Sequence, residues 1–174
     1  MTAAAPLGWQ QREALRRRLL SLGLGELSAA TVFLALAVSV VGPRWTTHQA
    51  VTLWWALGPL TVVLVQAGAY WLLARSWVGR GTMPRPVART YRVFRVFDPV
   101  LLVLGLVMIL VPGHPDPGPW LLTLAVWTFA ALEYANYFLV RLSFPPTTWA
   151  REVTSWRTPR LVRDLRASDR EGRH

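Results

Sequence analysis

Four polar residues stand nearly alone in otherwise apolar stretches of the chain: Glu26, Gln66, Asp98 and Glu133. Each lies eight or nine residues from an arginine, these being Arg18, Arg75, Arg89 and Arg141 in turn. At 1.5 Å per helical residue, all four sit roughly 12–14 Å from one boundary. A carboxylate that deep in hydrocarbon is tolerated only when it is paired, protonated or open to water. Its chemistry is therefore that of a proton or cation pathway, a head-group site or a hydrogen-bonded joint between helices.

Neighbours at helical spacing enlarge the set. Tyr70 follows Gln66 by four residues, and Asn136 and Tyr137 follow Glu133 by three and four, so each group shares one helix face. Gly23, Glu26, Ala30 and Ala37 form a stripe of small residues, and Asp98, Leu102 and Gly105 form another, both suited to close helix approach. The expectation is one intramembrane polar site built from Glu26, Gln66, Tyr70, Asp98, Glu133, Asn136 and Tyr137. Arg92, Arg95 and Arg141 are the candidate contacts to lipid head groups at its edge.

Other chemistry finds little footing. The chain has no cysteine, which removes disulfides and thiolate metal sites. His48 and His114 fall between apolar runs and His174 is the last residue, so no histidine is placed to ligate a haem within a span. His114 and Asp116 supply two metal ligands without a third. Neither a zinc-binding His-Glu helix motif nor a glycine-rich phosphate loop occurs. No catalytic residue, cofactor or metal ligand is assigned.

The elements that must carry these residues are four apolar runs, 19–41, 51–74, 91–111 and 120–140. Each is close to the roughly 20 residues that cross a hydrocarbon core as a helix, and backbone amides in lipid must bond within their own segment. In the third run Pro99 and Asp98 could start a helix, but 99–111 is only 13 residues and too short to cross. A helix beginning near Tyr91 and running through Pro99 draws Asp98 into the membrane.

Arginine sets the orientation. Arg12, Arg16, Arg17 and Arg18 precede the first run; six arginines run from Arg75 to Arg95 inclusive, and eight from Arg141 onward. Between the first and second runs there is only Arg44, and between the third and fourth none. Arginine-rich flanks stay cytoplasmic, so both termini face inward. The net charge of +10 thus reads as orientation and contact with anionic lipid rather than nucleic-acid binding. Arginine used to the exclusion of lysine, with abundant Ala, Gly, Pro and Trp, matches a GC-rich bacterial genome and so a bacterial inner membrane.

The fold class expected is an all-α membrane protein, a four-transmembrane-helix antiparallel bundle over residues 1–144. Residues 145–174 make a basic cytoplasmic tail. Trp149, Val153 and Trp156, then Leu161, Val162 and Leu165, recur at helical spacing among arginines, the pattern of a helix lying in the interface. A partly disordered tail is the alternative.

Three functions fit. The preferred one is a non-enzymatic accessory or assembly subunit of a larger membrane complex. The second is a proton- or cation-linked carrier or channel using Glu26 and Glu133, working as a homo-oligomer because four helices make a narrow bundle. The third is an enzyme acting on lipid-linked phosphate, with Arg92, Arg95 and Arg141 holding phosphate and Glu133 or Asp98 as base.

Overall fold

The computed structural model describes residues 8–78, 81–111, 116–139 and 159–171, and these are helical apart from short caps and connections. Helix α1 spans Trp9–Leu36 and passes through a π-turn, Ala37–Val41, into a single 3-10 turn, Gly42–Arg44. Helices α2 (Thr47–Trp77), α3 (Arg85–Leu110), α4 (Pro117–Phe138) and α5 (Arg160–Glu171) follow. Three helices among the described residues are long and apolar enough to cross a membrane: α1 with its extension to Arg44, α2 and α3. The 22-residue α4 falls outside that set and carries Glu133, Tyr134, Asn136 and Tyr137 in its last two turns.

Helix α2 is central, with α1, α3 and α4 packed against it. Contacts at both ends fix the directions. Arg16 Nε donates to the Arg75 carbonyl at 3.1 Å, joining the start of α1 to the end of α2. At the opposite end, Gln49 Nε2 donates to Asp116 Oδ2 at 2.8 Å, joining the starts of α2 and α4. Gln49 also completes a capping box with Thr46, satisfying first-turn amides of α2 that have no acceptor within the helix.

Small residues set the closest approaches. The Gly23 and Gly68 backbones meet so closely that a Cβ on Gly23 would stand 3.0 Å from the Gly68 carbonyl oxygen. Ala30 and Ala37, on the small-residue stripe of α1, are buried as well. On the other side of α2, a Cβ on Gly105 would collide with the Trp55 carbonyl oxygen. That carbonyl lies four residues before Pro59, whose missing N–H leaves it without its helical donor.

Pro99 has the same effect on α3, which runs unbroken through it. The Arg95 carbonyl loses its helical donor, and Tyr134 of α4 supplies the replacement, its hydroxyl donating at 2.9 Å. Asp98 is consequently inside the helix and 1% exposed, rather than capping a start.

The tail was expected to rest its apolar face in acyl chains; Leu161, Val162 and Leu165 of α5 are instead buried at 2–4% exposure. Leu161 and Leu165 join one cluster with Leu19, Tyr70, Trp77, Tyr91, Tyr137 and Phe138. Helix α5 therefore closes the end of the molecule where α1 begins and α2 ends. Trp149, Val153, Trp156 and Arg141 lie outside the described residues.

Candidate functional site

Six of the seven residues expected to share one site fall into two separate hydrogen-bonded groups, and Tyr70 bonds elsewhere. In the first, Gln66 Nε2 donates to Asp98 Oδ1 at 3.0 Å, and Tyr91 donates to the Gln66 backbone carbonyl at 2.7 Å. Both side chains are buried, and Asp98 Oδ2 and Gln66 Oε1 have no partner among the described residues. This pair joins α2 to α3.

The second group joins α1, α2 and α4. Trp71 Nε1 donates to the Tyr137 hydroxyl at 3.1 Å, and that hydroxyl donates to Glu26 Oε1. Helical spacing explains the convergence: Glu26 lies on the Gly23 face that α1 presses onto α2, and Tyr137 is one turn beyond Glu133 on the face of α4 that meets α2. Asn136 bonds Glu133 within α4, and Glu133 lies close enough to Glu26 for their charges to interact. Two carboxylates are thus neighbours at the edge of this group.

Tyr70 belongs to both groups by position and to neither by hydrogen bonding. Its ring packs against Trp71, Tyr91 and Trp77, with centroids 4.9–6.5 Å apart. Its hydroxyl instead donates to Asp164 Oδ2 of α5 at 2.8 Å. Trp77 Nε1 donates to the same oxygen at 3.3 Å. Asp164 and Trp77 were not among the residues singled out from the sequence. The available signal was an acid at position 164 between Leu161 and Leu165, beside the apolar residues of the helix. An ion there must find donors on whatever those residues cover.

These contacts frame a cleft of about 270 Å³ between α1, α2, α4 and α5. Glu26, Tyr70, Trp71, Asn136 and Tyr137 form its polar floor. Leu15, Leu19 and Leu22 form the α1 wall, and Arg18, Arg160 and Arg163 stand along the lining as well. Arg92 and Arg95, the expected head-group contacts, are exposed on α3 and do not line it. Asp98 and Gln66 do not line it either.

Among the described residues no cluster of three His, Cys, Asp or Glu side chains is arranged to hold a metal ion. The arrangement offers a polar floor, an apolar wall and positive charge, which are the components of a binding cleft for an amphiphile. Comparison of the chain with protein-family models, with curated proteins and with solved structures finds no match.

Proposed function

We propose that this chain is a multi-pass inner-membrane protein with four antiparallel spans, α4 being the fourth, and with both termini cytoplasmic. Its role is that of a non-enzymatic accessory or assembly subunit, and its working surface is the cleft at the cytoplasmic leaflet. The arginine alternation supports the orientation: the first half of α1, the adjoining ends of α2 and α3 with their connection, and α5 are arginine-rich, whereas the connections at the opposite end hold only Arg44. Large apolar side chains exposed along α1 and α3, Val32, Leu36, Val96, Val100, Val103 and Val107 among them, support a hydrocarbon surround.

The observation that carries the reading is the chain Trp71–Tyr137–Glu26. An indole, a phenol and a carboxylate from three helices bond one another at the floor of an open cleft. Groups locked together in this way make a fixed recognition surface.

The test is extraction in a lipid-retaining polymer followed by mass determination. A second membrane polypeptide present in fixed ratio to this chain is expected. A solitary chain whose reconstitution gives proton flux abolished by Glu26→Gln would replace the subunit reading with a carrier. The carrier is the second reading because Asp98 Oδ2 and Gln66 Oε1 are buried without partners.

A further inference from the structure

We propose that the cleft between α1 and α5 binds the phosphate head group of a cytoplasmic-leaflet lipid, with one acyl chain running along α1. The proposal rests on the reading of the cleft as the working surface and names what occupies it.

Arg18 lies more than 140 residues before Arg160 and Arg163 in sequence, yet all three line one cleft. Arg18 and Arg163 are exposed, Arg160 is half-buried, and the one carboxylate ion pair among the described residues, Arg17 with Glu13, involves none of them. Asp164, four residues beyond Arg160, has Oδ2 bonded by Tyr70 and Trp77. Glu26 accepts from Tyr137 and lies eight residues deeper than Arg18, roughly 12 Å along the helix axis. The anion therefore belongs at the arginines and not at the floor.

Helix α5 adds to this field. Its first intrahelical bond runs from the Arg163 amide to the Pro159 carbonyl at 3.1 Å, so the amides of Arg160, Leu161 and Val162 have no acceptor within the helix. Pro159, Arg160 and Leu161 line the cleft, which places that positive helix end against it. Arginine forks suit phosphate because two parallel N–H groups match two oxygens.

The apolar wall decides between a lipid and a free phosphate. Leu15, Leu19 and Leu22 follow one another along the cleft at helical spacing. Leu19 is buried, whereas Leu22 is 42% exposed, so the groove opens sideways where an acyl chain leaves it. A soluble phosphate would have no use for that wall.

The measurement is titration of the full-length protein in a neutral detergent with short-chain phosphatidic acid, read by native mass spectrometry. Inorganic phosphate and short-chain phosphatidylcholine are the other two arms. One phosphatidic acid per chain is expected, unaffected by millimolar inorganic phosphate. Arg160→Ala/Arg163→Ala should weaken it roughly a hundredfold and Arg18→Ala roughly tenfold, from the loss of charge-assisted hydrogen bonds. Arg85→Ala/Arg89→Ala removes the same charge from the exposed start of α3 and should leave binding unchanged. Arg18 is exposed on α1, so its variant keeps α5 docked and separates lost contacts from lost structure.

Competition by inorganic phosphate at equal affinity would overturn the lipid assignment. Equal binding by wild type and the Arg18 and Arg160/Arg163 variants, or equal loss in the Arg85/Arg89 control, would overturn the site. Labelling of a Thr82→Cys variant scores orientation separately, and polymer extraction scores the subunit role. An empty cleft and a wrong functional reading thus give different results.

Discussion

Replacing Tyr137 by Phe removes one oxygen that accepts from Trp71 and donates to Glu26, and nothing else about the ring. Both partners are then left without their bond in a partly buried setting, which costs about 1–3 kcal/mol. Denaturant unfolding in detergent should show that loss for Tyr137→Phe and a smaller one for Glu26→Gln, whose amide oxygen still accepts. Equal stability of Tyr137→Phe and wild type would contradict the joint. At this scale much of the site could be read from the sequence. The shared depth of Gln66 and Asp98 anticipated a contact they make, and helical spacing put Tyr137 on the face that reaches Glu26. Two groups rather than one could not be read, because α2 is apolar nearly all round and its sequence does not reveal which way Gln66 turns. Asp164 escaped because its partners, Tyr70 and Trp77, are 94 and 87 residues away in a different element.

Prolines shape the elements by withdrawing donors, and the replacement donor is testable. Tyr134→Phe leaves the Arg95 carbonyl without the hydroxyl that serves it, at a cost of about 1–2 kcal/mol. In a Pro99→Ala background the restored N–H serves that carbonyl, so the same change should cost little. A double-mutant cycle measures the difference, and equal cost in both backgrounds would rule the compensation out. Gly105→Ala should destabilise by about 1–3 kcal/mol, because the atom it meets is the backbone oxygen of Trp55 and cannot rotate away. The tail is the element least visible in the sequence. Its period announced an amphipathic helix, but period alone does not tell an acyl surface from a protein surface. Asp164 decides between them, since its oxygen is met by a phenol and an indole. Asp164→Ala should release α5: hydrogen exchange over residues 160–168 should speed up while α2 keeps its protection. Unchanged exchange in α5 would show that Leu161, Val162 and Leu165 hold it alone.

At the scale of the whole molecule, three helices among the described residues are long and apolar enough to cross a membrane, and the proposed fourth span rests on where the two ends of α4 lie. Its start is tied to the start of α2 through Gln49 and Asp116, and its end is tied to Glu26 and Trp71 near the α5 side. If α1, α2 and α3 cross, α4 runs the same distance beside α2 and must cross as well. In the proposed orientation the α2–α3 connection and α5 then share one face of the membrane. The chain lacks cysteine, so single-cysteine variants report without background. The direct test is labelling of His48→Cys, Thr82→Cys and Arg166→Cys by a membrane-impermeant maleimide in spheroplasts and in inverted vesicles. Positions 82 and 166 should label only in inverted vesicles, and position 48 only in spheroplasts. Labelling of 82 and 166 from opposite faces would contradict the fourth span and, with it, a cytoplasmic cleft covered by α5.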